Sequence, residues 1–225
     1  MNKPLRCELV SWSRFAHLAR QLAYKIHAAG YQPDLVIAIA RGGYAPARVL
    51  ADYFGVMNVA SIKVEHYKGP RQMKKARIRH PLPAHIEGRR VLIVDDVSDT
   101  GDTFEVAIPH IRERLPGAEI RTAVLLHKAA CPVLPDFWAR KVVKWRWIIY
   151  PWAVIEDLGN FLRAAQPQPK TIDAFDRMLR TRHQLKVPRC TLQDVLDLAY
   201  RPEPLTPALS PKGIGGLRVA RRRST

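Results

Sequence analysis

The sequence predicts an α/β fold: an open, mainly parallel twisted sheet flanked by helices, with a small helical extension near the C-terminus. Two observations predict it. Short aliphatic runs alternate with segments of helical periodicity along the first 160 residues, and several runs lead directly into glycine-rich or acidic turns. Such alternation is typical of strands joined by helical crossovers.

The first elements are a helix, a buried strand and a second helix. Apolar residues that share one helical face indicate the first helix: Trp12, Phe15, Ala19, Leu22 and Ile26. Ser11 or Ser13 is expected to cap it, and Gly30 to end it. Leu35–Ala40 is a continuous aliphatic run, and the second helix is expected to end near Phe54.

The middle of the chain continues the alternation after one interruption. A strand is expected over 56–64, followed by a mobile, cationic excursion over 65–83 that contains six Lys or Arg residues. Beyond it, the pattern predicts a strand over 91–94, a helix over 103–115, a strand over 120–127 and another strand over 142–150.

Three regions follow from the change in composition along the chain. Residues 1–165 form the α/β domain, and Pro167 and Pro169 then mark a short linker. Helical patterns over 172–182 and 192–200 predict a helical extension within 166–200. Residues 201–225 are rich in Pro, Gly and Arg without periodicity, so we predict a disordered basic tail.

The charge favours anionic partners. The formal net charge is +17 and the pI is near 10.3, which suits phosphorylated metabolites, nucleic acid or a membrane surface. Three widely spaced cysteines argue against a disulfide framework or a cysteine zinc site. The apolar runs are too short to span a bilayer and the start lacks a signal-peptide core, so no membrane partner and a cytoplasmic location are expected.

The stretch VLIVDDVSDTGDT, residues 91–103, combines a buried strand, adjacent carboxylates and a tight loop before a helix. Ligands of parallel sheets bind beyond the carboxyl ends of the strands, and a helix N-terminus favours phosphate. The vicinal carboxylates of Asp95 and Asp96 can accept hydrogen bonds from two neighbouring hydroxyls and help hold Mg²⁺. A solvated strand end is the alternative for either aspartate alone, but the whole pattern predicts a ribose 5-phosphate site.

That stretch resembles the binding signature of type I phosphoribosyltransferases, which use 5-phosphoribosyl 1-pyrophosphate (PRPP). Within the family the chain is most similar, over about residues 10–160, to the 6-oxopurine (xanthine-guanine and hypoxanthine-guanine) enzymes. The resemblance implies that Asp95 and Asp96 bind the ribose hydroxyls and Mg²⁺, and that Asp99 is the general acid or base at the purine N7. It also implies a loop around the 5-phosphate formed by Asp99, Thr100, Gly101, Asp102 and Thr103. Asp102 departs from the family, because it puts a carboxylate in a phosphate loop.

Two further segments resemble PRPP-binding parts of the family. Arg41, Gly42 and Gly43 correspond to the pyrophosphate loop, where a strained peptide bond often precedes the glycines; an ordinary strand–helix turn is the alternative. The cationic excursion corresponds to a flexible lid over PRPP, and Lys68 and Arg71 are the residues expected to contact the pyrophosphate. The alternative is a solvated surface, which is the more common role of a run of charges.

The base site is implied by Lys128, Trp147 and Ile148. Lys128 follows a strand and corresponds to the lysine that donates to the purine O6, whereas adenine would require an acceptor at N6. Trp147 corresponds to the aromatic ring that stacks on the purine, and Ile148 to the backbone carbonyl that reads the 2-position. A strand-end lysine and core aromatic residues are the alternatives. Ala153 departs from the family, which often has an acidic residue there.

The predicted function is purine salvage: transfer of phosphoribose from Mg–PRPP to guanine, hypoxanthine or xanthine, giving a nucleoside monophosphate and pyrophosphate. The family usually forms dimers or tetramers, so a homo-oligomer is expected. One alternative is a PRPP-binding regulatory protein of the same fold that binds nucleic acid, which the charge permits. Another is a phosphoribosyltransferase for a different base.

Overall fold

The computed structural model describes residues 5–68 and 74–198, without the side chains of residues 66–68, 74 and 75. Its strands are β1 (Cys7–Leu9), β2 (Leu35–Ala40), β3 (Val59–Lys68), β4 (Lys74–His80), β5 (Arg90–Ser98), β6 (Glu119–Lys128), β7 (Phe137–Val142) and β8 (Trp147–Ile149). Its α-helices are α1 (Trp12–Ala28), α2 (Tyr44–Phe54), α3 (Asp102–Arg114), α4 (Val154–Ala164), α5 (Ile172–Met178) and α6 (Arg189–Leu198). A π-helical turn, Leu179–His183, continues α5.

Six strands form one twisted sheet in the order β4-β3-β2-β5-β6-β7. All neighbours are parallel except β3 and β4, which are antiparallel. From β2, the chain adds β3 and β4 on one side of the sheet. It then returns to the other side of β2 and adds β5, β6 and β7 in order. The carboxyl ends of β2 and β5 therefore flank the point where strand order reverses, which is where ligands bind in such sheets. The predicted α/β class is confirmed.

Helices cover both faces of this sheet. On one face, α1 and α2 pack through Leu18, Leu22 and Leu50 against Val36 and Leu92. On the other face, α3 contributes Phe104 and Ile111 to a second core with Ile37 and Ile93. Alternate residues of β2 and β5 point to opposite faces, and both faces are buried, which explains why these strands read as continuous aliphatic runs.

Local signals located the start of α1 correctly. The Ser11 hydroxyl accepts a hydrogen bond from the Arg14 N–H at 3.1 Å, which confirms one of the two predicted caps. Gly30 follows the helix with a positive φ of 69°. Trp12, assigned to the apolar face, is instead 61% exposed, because it occupies the first turn.

The region predicted as a mobile, cationic excursion contains the second half of β3, a strand expected to end at residue 64, and β4, which was not predicted. The second half of β3 pairs with β4, and Val64 lies opposite Ile78, both packed against the core beneath. Glu65 forms ion pairs with Lys63, Arg77 and Arg79. The density of cations hid the alternation of apolar residues in KKARIRH, which is a strand signal.

The single strand predicted over 142–150 is wrong. β7 ends at Val142, residues 143–146 form a connection, and β8 pairs in parallel with β1 in a separate two-stranded sheet. In this part of the chain no strand was predicted before residue 142, whereas β7 begins at Phe137. The helix α4 was not predicted either. The polar segment around Lys144 and Arg146 separates two short strands that the aromatic residues made look continuous.

The C-terminal helices share a core with the small sheet. Phe175 and Leu179 are fully buried, together with Ile149 of β8 and Leu158 of α4. The helical extension therefore packs behind the strand that carries Trp147. The boundaries at 165/166 and 200/201 stay predictions, and the tail from 199 onward lies outside the described residues. No helix within 5–68 and 74–198 is long and apolar enough to cross a membrane.

Phe175→Ala is expected to lower the free energy of unfolding by about 3–5 kcal/mol, because it leaves a large cavity in this fully buried core. Urea unfolding followed by circular dichroism measures the change. Phe175→Leu, which keeps most of the apolar volume, should cost clearly less. A loss below about 1 kcal/mol for the alanine variant would contradict the shared core.

Candidate active site

A cavity of about 710 Å³ opens at the carboxyl end of the main sheet. It is bounded by the ends of β2, β5 and β6, the first turns of α2, α3 and α4, and β8. Nine residues selected from the sequence line it: Arg41, Gly42, Asp95, Asp96, Asp99, Thr103, Lys128, Trp147 and Ile148.

Four further predicted residues, Gly43, Thr100, Gly101 and Asp102, do not line this cavity but lie within two residues of ones that do. Arg71 lies outside the described residues, as does the side chain of Lys68, so their predicted contact with pyrophosphate stays a prediction.

Asp95 and Asp96 form a half-buried carboxylate pair at the end of β5. The Asp96 N–H donates to Asp95 Oδ1 at 2.9 Å, and the Tyr150 hydroxyl donates to the Asp96 carbonyl at 2.7 Å. Burial, followed by the charge of Asp96, raises the pKa of Asp95, and burial raises the pKa of Asp96 to about 7. Hydroxyl donors or a cation placed here would stabilise the charged forms.

The turn after β2 lies directly against β5. A Cβ atom at Gly42 would overlap the Asp96 carboxylate, and one at Gly43 would overlap the Val94 carbonyl oxygen and lie 2.7 Å from the Ile39 carbonyl oxygen. The peptide bond between Ala40 and Arg41 is cis. Glycine at 42 and 43 therefore lets this backbone reach the carboxylate pair, which no larger residue permits.

The loop from Ser98 to Thr103 leads into the N-terminus of α3. Gly101 is the N-cap, with φ 92°, and its carbonyl accepts from the Phe104 N–H at 2.9 Å. A Cβ atom at Gly101 would overlap the side chain of Val133. The free N–H groups and the dipole of this 13-residue helix favour an anion beside Thr103.

Lys128 and Asp99 form an ion pair between the ends of β6 and β5. The Lys128 Nζ donates to Asp99 Oδ2 at 2.6 Å, and the lysine side chain is only 4% exposed. The Trp145 indole N–H donates to the other oxygen, Asp99 Oδ1, at 3.1 Å, and Lys128 Nζ lies 4.3 Å from the centroid of the same ring. Both carboxylate oxygens of Asp99 are thus engaged.

Aromatic side chains form the wall opposite the sheet. Trp147 is 39% exposed at the cavity, and its indole N–H donates to Asp157 Oδ1 at 3.1 Å. Tyr150 and Trp152 stack with ring centroids 4.8 Å apart. Trp147 therefore lines the cavity with a partly exposed ring, while Tyr150 and Trp152 stack on each other.

Two contacts of this site were not predicted from the sequence: Trp145 with Asp99, and Asp157 with Trp147. Residues 142–150 were predicted as one strand, so Trp145 was not separated from Trp147 as a loop residue. Asp157 was not selected from the sequence. The placement of Asp157 in the first turn of α4 is the signal that could have found it.

Asp157 gives the site a pH-dependent contribution to stability. Burial, opposed by the hydrogen bond from Trp147, raises the pKa of Asp157 from 3.8 to about 6. Between these values the folded protein keeps a proton that the unfolded chain has lost. The contribution is therefore present below about pH 4 and is lost as the pH rises to about 6.

Asp157→Asn keeps the acceptor for Trp147 and removes this titration. The variant should gain about 1 kcal/mol relative to wild type between pH 4 and pH 6.5, a value reduced for the partial exposure of Asp157. Urea unfolding across that range measures the difference. Asp194→Asn, on the exposed face of α6, is the control; an Asp157→Asn difference that stays constant with pH would contradict the assignment.

The carboxylate pair has the chemistry of a magnesium site. Within the described part of the chain no three His, Cys, Asp or Glu side chains are grouped to hold a metal alone. Magnesium in proteins is usually held by one or two carboxylates, several waters and substrate phosphates. Asp95 and Asp96 supply two such carboxylates, and a cation bound beside them would offset the burial that raises their pKa values.

Comparisons with known proteins give a consistent family. The chain matches the phosphoribosyl transferase domain over residues 7–156. A xanthine-guanine phosphoribosyltransferase of Nitratidesulfovibrio vulgaris is 32% identical over 143 residues, which are 64% of this chain and 82% of that protein. The crystal structure of a purine phosphoribosyltransferase from Pyrococcus horikoshii has a TM-score of 0.56 and 35% identity, covering 65% of this chain and 93% of that one.

A third relative shares the fold at low identity. The xanthine-guanine-hypoxanthine phosphoribosyltransferase of Helicobacter pylori has a TM-score of 0.57 and 20% identity, covering 69% of this chain and 98% of that one. The family match ends at residue 156, so the helical extension lies outside the family domain.

Proposed function

The chain belongs to the phosphoribosyltransferase family, and on that premise we propose that it is a purine salvage enzyme that transfers phosphoribose from Mg–PRPP to a 6-oxopurine. One observation carries the proposal. The ion pair of the buried Lys128 with Asp99 and the ring of Trp147 line the same cavity as the Asp95–Asp96 carboxylates. A base-binding end and a ribose-binding end are thus within one site.

PRPP would lie along the end of the sheet. The 5-phosphate binds at the start of α3, the ribose hydroxyls donate to Asp95 and Asp96, and the pyrophosphate lies against Arg41, Gly42 and Gly43. Mg²⁺ held by the carboxylate pair and substrate oxygens would neutralise charge on the leaving pyrophosphate. The lid contacts of Lys68 and Arg71 remain part of the proposal.

The base would stack on Trp147 beside Lys128. The ammonium group has three donors and no acceptor, so it suits the O6 of an oxopurine and opposes the N6 amino group of adenine. The carbonyl of Ile148 would read the 2-position. Stacking itself gives affinity for any purine, so selectivity rests on Lys128.

Transfer breaks the bond from the ribose C1′ to the pyrophosphate oxygen and forms a bond from C1′ to the purine nitrogen. The site contributes by holding both reactants in line, which replaces a bimolecular encounter. Asp99, at the base end, accepts the purine N7 proton, and Lys128 supports the carboxylate that does so. The sugar carries cationic character between bond breaking and bond formation, and nearby carboxylates favour it.

Pyrophosphate release from Mg–PRPP tests the proposal, with hypoxanthine, guanine, xanthine and adenine offered separately. Turnover with an oxopurine and little with adenine would support it and rank the bases. Binding of PRPP without turnover of any base would remove the salvage function and favour the regulatory alternative. Salt-sensitive binding to random nucleic acid, with and without residues 201–225, would then be measured. A dimer or tetramer and a cytoplasmic location stay predictions.

A further inference from the structure

Arg41 is bound by a carboxylate from the opposite wall of the cavity. It follows β2 at the proposed pyrophosphate turn, and its Nη2 donates to both oxygens of Glu156, at 2.8 and 2.7 Å. Glu156 lies in the first turn of α4, 115 residues away in sequence. The ion pair therefore joins the two sides of the cavity mouth.

The pair is accessible to water and to an incoming anion. The side chain of Arg41 is 71% exposed and that of Glu156 is 52% exposed. Exposed ion pairs contribute little to stability, because solvent screens the charges and the side chains lose rotational freedom. A pyrophosphate group, with more charge and more acceptor oxygens than one carboxylate, can replace Glu156 on the guanidinium.

The cavity has few positive groups with which to bind an anion, so the release of Arg41 matters for binding. Among the described residues, the cavity lining contains two cations, Arg41 and Lys128, and five carboxylates, at Asp95, Asp96, Asp99, Glu156 and Asp157. Lys128 is already paired with Asp99 and Arg41 with Glu156. Both cations of the described lining are thus occupied before a polyanionic substrate enters.

We propose that Glu156 is an intramolecular competitor that holds Arg41 across the cavity mouth until pyrophosphate displaces it. This deepens the proposed function and rests on it, because it assigns Arg41 to the pyrophosphate end of PRPP. Glu156 thereby lowers the affinity for pyrophosphate and PRPP and leaves the base end unaffected. It is a positioning residue that acts through Arg41.

Calorimetric titration with inorganic pyrophosphate and excess Mg²⁺ tests the competition directly. Glu156→Gln keeps the side-chain shape and removes the charge, so it should tighten pyrophosphate binding about two- to fivefold, as expected for release of an exposed ion pair. Arg41→Gln should weaken binding. In the double variant, Glu156→Gln should give no tightening, because the group it competes for is gone.

Asp157→Asn is the matched control for a general charge effect, since Asp157 is the next cavity acid along α4 and bonds to Trp147 instead of Arg41. Equal tightening in Asp157→Asn and Glu156→Gln, or tightening by Glu156→Gln that persists without Arg41, would overturn the inference. Thermal unfolding of each variant checks that the fold is retained.

Steady-state kinetics separate this inference from the proposed function. Glu156→Gln should lower the KM for PRPP and leave the KM for the base unchanged. A wild-type protein that binds pyrophosphate and turns over an oxopurine, with no change in Glu156→Gln, would overturn only the role of Glu156. A wild-type protein that binds neither pyrophosphate nor PRPP would overturn both.

Discussion

Asp99→Asn is expected to lower kcat/KM for an oxopurine by about 10²- to 10⁴-fold, the usual contribution of a general acid or base. The substitution keeps the size of the side chain and the acceptor for Lys128 but removes the group that takes the N7 proton. Pyrophosphate release with saturating Mg–PRPP measures it. PRPP binding should change less than turnover, because the side chain of Asp99 bonds to Lys128 and Trp145 at the base end of the cavity.

Asp52→Asn provides the matched control for this variant. Asp52 is an exposed residue of α2 that pairs with Arg48 on the surface, outside the cavity lining. It should retain wild-type turnover. If Asp99→Asn kept more than about half of the wild-type kcat/KM, proton transfer by Asp99 would be excluded as a significant part of catalysis.

Lys128→Gln is expected to reduce kcat/KM for an oxopurine by about 10- to 100-fold, because a hydrogen bond from a charged donor is lost. It should also raise the use of adenine relative to hypoxanthine, since the glutamine carbonyl can accept from the N6 amino group. Initial rates with the two bases at equal PRPP measure the ratio.

Lys141→Gln is the control for the lysine substitution, because Lys141 is exposed on the neighbouring strand β7. Its base preference should equal that of the wild type. An unchanged adenine-to-hypoxanthine ratio in Lys128→Gln would contradict the assignment of Lys128 to the 6-position. A large fall in Tm would instead show that the ion pair of the buried Lys128 with Asp99 acts mainly in stability.

The fold class and the family were predictable from sequence because they depend on local patterns. Aliphatic runs, helix periodicity and the turn glycines fix the strands and helices of the main sheet, and the parallel order brings the ends of β2, β5 and β6 together. Nine predicted residues consequently line one cavity. The local pattern gave wrong predictions in two places. β4 was not predicted because its many cations obscure the alternation of apolar residues, and the end of β7 and all of β8 were predicted as one strand because aromatic residues made the segment look continuous.

The sequence by itself determined which residue types reach the end of the sheet: the carboxylates of Asp95 and Asp96, Asp99, and Lys128. Only the tertiary structure decided how those residues are paired. Asp99 binds Lys128 and Trp145, 29 and 46 residues away, and Arg41 binds Glu156 at 115 residues. The spacing of side chains along a strand or helix is fixed by backbone geometry, which the local sequence encodes. Contacts between distant side chains depend on how loops and α4 lie against the sheet, and no local pattern encodes that.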